Sequence, residues 1–336
     1  MTTYKGINGF AVQSLASDPS PLDEGQVWYN NTSYAFKLAG FNSASWASGG
    51  NMNTSRRGPA GSGTDTAALS IGGWLQPGTT SATEKYDGTS WTNTGGLNTP
   101  RFSMGAAGTQ TATLGFGGYQ PPSLYLSANE AFNGSTWSTQ TSMPAGQLQC
   151  RGTGTQTAAI TVGAFVPPST ANPPANFPTV YWNGTSWATG GIFNTQRSIS
   201  GTAGTSTAAL GFGGSPGSGG VTTAVESYNG TSWTSLPASM NTARTDVAHG
   251  GTGTQTNAIS AGGTPPSSSA GFTELYNGSS WTNSTNLPAT RFELGGAGNA
   301  TSALIFGGAI NPSSSITNTS FEFTGPGVAT KTITTS

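Results

Sequence analysis

The chain has 336 residues and a formal net charge of −1, and only 7% of it is Asp, Glu, Lys or Arg, against roughly 25% in an average soluble domain. Such a chain offers no basic stripe for a phosphate backbone, so nucleic acid is not expected as a partner. No apolar run approaches the ~20 residues of a membrane span, and a single cysteine, Cys150, excludes an intramolecular disulfide framework.

Residues 1–40 stand apart from the rest. Met1-Thr2-Thr3-Tyr4-Lys5 lacks the apolar core of a secretory signal. Gly25-Gln26-Val27-Trp28-Tyr29-Asn30, followed by Tyr34-Ala35-Phe36-Lys37, reads as a short β-hairpin. Trp28, Tyr29, Tyr34 and Phe36 are too many aromatics for a free tail. They are expected to contact another protein or a neighbouring copy of the chain. The segment 1–40 is therefore read as an attachment extension, and 41–336 as the main domain.

From residue 41 onward the chain repeats. Trp46, Trp91, Trp137, Trp187, Trp233 and Trp281 are spaced 45, 46, 50, 46 and 48 apart. Arg56, Arg101, Arg151, Arg197, Arg244 and Arg291 form a second series. Apolar runs closing on a glycine pair, such as Leu114-Gly115-Phe116-Gly117-Gly118, form a third. An aromatic residue followed by Asn-Gly or Asp-Gly, such as Tyr86-Asp87-Gly88 and Phe132-Asn133-Gly134, forms a fourth. The period suits one four-stranded propeller blade. Strand one follows the Arg, and strand two runs into Gly-Gly. Strand three ends at the aromatic residue, and Asn-Gly or Asp-Gly supplies the left-handed residues of a tight hairpin turn. Strand four starts at the Trp.

These ordered motifs resemble the kelch repeat. The resemblance implies an all-β, six-bladed kelch-like β-propeller. No Trp follows Phe323, and an unpaired Trp46 precedes the first set. The strand around Trp46 is therefore expected to complete the last blade and close the ring. Seven blades is the alternative, because Phe41-Asn42-Ser43-Ala44-Ser45-Trp46 matches Tyr86-Asp87-Gly88-Thr89-Ser90-Trp91 position for position.

Charge that recurs once per repeat in a charge-poor chain is expected to build the blades. Glu84, Glu130, Glu226 and Glu274 each precede the strand-three aromatic by two residues, and are the expected partners of the arginines. The tryptophans are expected in the core. Cys150 reads as a small buried hydrophobe. One histidine, His249, cannot build a multi-histidine metal site. No catalytic residue, metal or cofactor is expected, and the Asn-x-Ser/Thr sequences are explained by turn chemistry.

The connections between strands two and three vary most in length, and variable loops on a uniform scaffold read as a binding face. Trp74, Tyr119, Tyr125, Phe165 and Phe177 lie in them and are the candidate ligand or partner contacts. The Gly-Gln-x-Trp-Tyr-Asn hairpin and the Thr-rich end, Ala329 to Ser336, resemble those of phage tail and fibre proteins. The whole chain resembles kelch-like structural proteins of marine, cyanobacterial tailed phages. That resemblance implies a non-enzymatic virion protein, made in the host cytoplasm without an export signal. Its implied partners are other virion proteins, further copies of itself, and a host-surface glycan or protein. A carbohydrate-active propeller enzyme and a cytosolic bacterial scaffold are the alternatives.

Overall fold

The turn between strands three and four sets each unit. Tyr86 pairs across strands with Trp91, Phe132 with Trp137, Trp182 with Trp187, Tyr228 with Trp233, and Tyr276 with Trp281. The rings of these pairs lie between 5.0 and 5.3 Å apart. Four residues separate the partners. Asp87, Asn133, Asn183, Asn229 and Asn277 each accept the backbone N–H groups two and three residues ahead. The side chain thus acts as the missing backbone acceptor. Only the glycine is left-handed, as at Gly88 with φ 92°. The expected turn with two left-handed residues is therefore a four-residue loop built on the Asn or Asp side chain.

The computed structural model describes residues 12–122, 124–163, 178–198, 201–216, 220–248, 250, 252–266, 270–310 and 315–333. No helix occurs among them. Six four-stranded antiparallel sheets come from the repeats. Sheet one holds Ala60–Gly63, Ala68–Ile71, Thr83–Tyr86 and Trp91–Thr94. Sheet two holds Gly105–Thr109, Ala112–Phe116, Asn129–Phe132 and Trp137–Gln140. Sheet three holds Arg151–Thr155, Ala158–Val162, Pro178–Trp182 and Trp187–Ile192. Sheet four holds Gly201–Gly204, Ala209–Phe212, Val225–Tyr228 and Trp233–Ser235. Sheet five holds Gly253–Thr254, Asn257–Ala261, Thr273–Tyr276 and Trp281–Asn283. Sheet six combines Gly295–Gly298, Ser302–Phe306 and Ser320–Thr324 with Ser45–Ser48 from the other end of the chain. The arrangement is all-β and propeller-like.

The glycine doublets link neighbouring sheets. Gly73 N–H donates to the Arg101 carbonyl, Gly118 to Gln147, Gly214 to Arg244, Gly263 to Arg291, and Gly308 to Arg56. Both glycines of each doublet are left-handed, and a Cβ at Gly72 would lie 2.5 Å from the Arg101 carbonyl. Only glycine tolerates both demands. First strands pack side by side between sheets one and two, two and three, three and four, four and five, and six and one. Gly250, before the short first strand of sheet five, approaches Gly296 of sheet six.

The chain divides into two compact units, Trp46–Phe323 and a smaller one from the segments on either side. In the smaller unit Gln13–Leu15, Val27–Asn30, Ala35–Asn42 and Gly327–Thr332 form one four-stranded sheet. The hairpin of Val27–Asn30 and Ala35–Asn42 lies where the aromatic pattern places it. The C-terminal strand, grouped with the repeats on sequence, pairs from Lys37↔Thr332 to Asn42↔Gly327 instead. It carries no repeat motif that could have assigned its partner.

Candidate functional site

The recurring charges lie inside the sheets. Arg56 pairs with Glu84, Arg101 with Glu130, Arg197 with Glu226 and Arg244 with Glu274, all buried. In sheet four the Glu226 carboxylate also accepts N–H from Asn194 at 2.8 Å and Thr195 at 3.1 Å, and the Asn194 side chain at 3.1 Å. Burial lowers the guanidinium pKa, and the carboxylate partly restores it. These groups hold backbone together and present nothing to a ligand.

Arg151 departs from the series. Gln147 takes the place that arginine holds elsewhere, because its carbonyl accepts from Gly118 as the Arg101 carbonyl accepts from Gly73. Arg151 instead opens the first strand, opposite Val162. The matching residues are Gly105, Gly201 and Gly295, opposite Phe116, Phe212 and Phe306. A Cβ at Gly105 would strike the Phe116 ring. Valine frees that volume, and the arginine fills it. The arginine series alone could not show the shift, since Arg151 is the one arginine of that unit and nothing in the series marks Gln147.

The tryptophan indoles carry a second recurring contact. Trp91 donates to Ser320 Oγ at 3.0 Å, Trp137 to Thr83 Oγ1 at 3.0 Å and Trp233 to Thr179 Oγ1 at 2.7 Å. Each acceptor is the first or second residue of strand three of the preceding sheet. Trp91, Trp137, Trp233 and Trp281 are buried, while Trp46 and Trp187 are partly exposed. Cys150 is fully buried, and burial pushes its thiol up to about 11. Such a thiol is a packing group and not a nucleophile. No group of three or more His, Cys, Asp or Glu side chains that could hold a metal occurs among the described residues.

The candidate face emerges where each sheet's loops begin. The residue after the arginine bridges the residue after the glycine doublet: Arg57 with Trp74, Phe102 with Tyr119, Ser198 with Ser215, Thr245 with Thr264, and Phe292 with Ala309. Trp74, Tyr119 and Tyr125 are all partly exposed. Tyr119 and Tyr125 meet at 5.3 Å. Phe102, missed on sequence, joins Trp74 at 5.4 Å to Tyr119 at 5.7 Å. Its signal was position, one residue after the repeat arginine. Phe165 and Phe177 lie outside the described residues.

Next to these bridges comes a set of left-handed backbones: Gly58, Ser103, Asp246 and Glu293. Ser103 N–H donates to the Gly58 carbonyl, Gly58 to Glu293, and Glu293 to Asp246. This chain of hydrogen bonds crosses from sheet to sheet and brings two acids close. Burial foremost, and then Asp246, push Glu293 up to about 7, against the pull of Arg57 and Arg151. Burial also raises Asp246, and Arg151 opposes it. Neither acid belongs to the repeat glutamates, so the pattern gave them no role.

In the smaller unit Trp28 is only 1% exposed and donates to Asp18 at 3.1 Å. Asn30 donates to the same oxygen, and these bonds hold the Asp18 carboxyl below its ordinary range. Trp28 is thus a core residue of this sheet. Tyr29 packs on Phe36 at 5.1 Å, and Tyr34 and Phe36 are exposed.

No known protein family matches the chain, and no curated protein matches it.

Proposed function

We propose that Trp46–Phe323 is a closed, six-bladed, kelch-like propeller, and that the chain is a non-enzymatic structural component of a tailed-phage particle. On this reading it sits on the tail or fibre or decorates the particle, and presents its loop face to the host surface or to a neighbouring virion protein. The order of inter-sheet links supports the ring, since Gly308 of sheet six donates to Arg56 ahead of sheet one. The observation that carries the binding role is the contrast between the two ends of the sheets. One end has the same four-residue turn in five units, and the other has unequal loops bearing half-exposed aromatics. The exposed Tyr34 and Phe36 suit contacts to virion partners or to further copies of the chain.

Mass spectrometry and immunogold electron microscopy of purified particles test the reading. The chain is expected in the particle, at one defined location. Its absence from particles, with presence in the infected cell, removes the virion reading and leaves a cytosolic scaffold.

One observation favours a carbohydrate-active enzyme as a second reading: Asp246 and Glu293 are neighbouring acids with raised proton affinity, which suits acid catalysis. Release of reducing sugar from a polysaccharide by the wild-type chain, lost in Glu293→Gln, would establish it.

A further inference from the structure

Trp74, Phe102, Tyr119 and Tyr125 form one continuous aromatic ladder, with successive ring contacts of 5.4, 5.7 and 5.3 Å. All four are partly exposed. At the Trp74 end the Arg57 guanidinium lies 6.0 Å from the ring centre and 3.4 Å from Glu293. Glu293 Oε2 is buried and accepts no hydrogen bond. The ladder therefore ends on a planar donor ion-paired with a carboxylate oxygen that accepts no hydrogen bond. At the matching bridges of sheets four and five stand Ser198, Ser215, Thr245 and Thr264. Among the described residues, the bridges of sheets four and five thus carry no aromatic side chain, and that of sheet six carries Phe292.

We infer that this ladder, with Arg57 and Glu293 at its end, binds an uncharged polysaccharide. The inference rests on the binding-module reading above and names its ligand. Aromatic rings give wide, rigid contact area at little conformational cost, which suits the C–H faces of successive sugar rings. Arg57 can donate to sugar hydroxyls, and Glu293 can accept from them. A run of rings suits a polymer better than a single sugar.

Charge decides against an anionic polymer. Arg56, Arg101, Arg151, Arg197, Arg244 and Arg291 are all buried. In Trp46–Phe323 that leaves Arg57 and Lys85 as the other basic residues. Lys85 donates to the Gly134 carbonyl, and Arg57 pairs with Glu293. This unit has no basic field to concentrate an anionic chain. A protein partner is disfavoured because the core of a protein interface is a broad apolar patch. Among the described residues of this unit the exposed large aliphatic residues are Leu124, Ile192 and Ile310, and of these Leu124 stands in the loop of Tyr119 and Tyr125.

The test is affinity electrophoresis of the full chain through gels containing dextran, mannan, laminarin, xylan or alginate. At least one of the four uncharged polymers is expected to retard the wild type, and alginate is not. In the double variant Trp74→Ser/Tyr119→Ser the dissociation constant should rise about tenfold or more, as loss of central aromatic contacts does. Tyr34→Ser, in the smaller unit, should bind as wild type. If the double variant unfolds, Tyr125→Ser takes its place. Unchanged retardation in a folded ladder variant overturns the inference, as does retardation by alginate alone or by none of the polymers. Adsorption to host cells separates the two readings. If ladder variants lose adsorption, no polymer retards the chain, and protease treatment of the cells abolishes binding, then the ligand is a protein. The binding module would then stand, and the polysaccharide would not.

Discussion

Sheet four buries an arginine and a glutamate together and ties an exposed asparagine to them, and sheet three buries a glutamine and a valine at the places of the first two. Arg197, Glu226 and Asn194 of sheet four correspond to Gln147, Val180 and Pro144 of sheet three. The three changes are chemically linked. Without the glutamate, a buried arginine has no counter-charge, and glutamine takes its place. Without the glutamate, the Asn194 backbone N–H also has no acceptor, and proline has no N–H to satisfy. Sheet six took another route. Arg291 remains, but its guanidinium lies 4.7 Å from the Phe321 ring and donates to the Gly307 and Thr319 carbonyls. Burial lowers its pKa to about 10. The difference teaches that the ion pair is one of several ways to satisfy the same backbone, and not a site.

The largest effect is expected from breaking this trio one member at a time. Glu226→Val strands the Arg197 charge, and removal of one partner of a buried pair costs about 3–5 kcal/mol. The triple variant Asn194→Pro/Arg197→Gln/Glu226→Val, which copies sheet three, should lose less than Glu226→Val alone. Urea unfolding of both, at one pH, measures it. A triple variant at least as unstable as the single would show that sheet three depends on something besides this exchange.

Much of this was legible in the sequence, because the repeat states it six times. Trp at the start of strand four, the aromatic at the end of strand three and the glycine doublet each fix a boundary to within a residue or two. The buried role of the arginines followed from their rarity. What was not legible lay where one unit breaks the pattern. Arg151 stands four residues beyond its apparent equivalents, and only the glycine-doublet hydrogen bond to Gln147 reveals that. The C-terminal strand has no motif at all. The candidate face was half legible: Trp74, Tyr119 and Tyr125 stood out as loop aromatics. Phe102, Asp246 and Glu293 did not, since their roles come from left-handed backbones and neighbouring sheets rather than from spacing.

A second contrast sets Trp233 against Trp281. Trp233 donates to Thr179, while Trp281 Nε1 is buried without a partner. The residue that should accept from it is Val225, in the same apolar cluster. Val225→Thr supplies the missing hydroxyl, and a net gain of about 0.5–1.5 kcal/mol is expected from the new hydrogen bond. The reverse change, Thr179→Val, should cost a similar amount or more, because it leaves the Trp233 donor unpaired. Thermal and urea unfolding of the two variants should move in opposite directions. A destabilised Val225→Thr would mean that the hydroxyl faces away from the indole.

The smallest effect concerns the two acids beside the loop face. The folded state raises the Glu293 pKa from its ordinary 4.5 to about 7, chiefly through burial. A raised carboxyl pKa means that the folded chain holds a proton which the unfolded chain has released. Stability should therefore fall as pH rises from about 4.5 to about 7, and level off above the folded value. Asp246 shifts in the same direction and adds to the slope from its own ordinary value of 3.8 upward. Arg57 and Arg151 oppose the shift of Glu293, Arg151 opposes that of Asp246, and both keep the slope shallow. Glu293→Gln keeps the shape and removes the titration, so the variant should gain on the wild type as pH rises through this window. Its loss of the Arg57 contact should weigh little, because that pair is partly exposed, at 28% and 18%. Urea midpoints for the two chains at pH 4.5, 6 and 8 would decide it: parallel curves would show that Glu293 ionises normally in the folded protein.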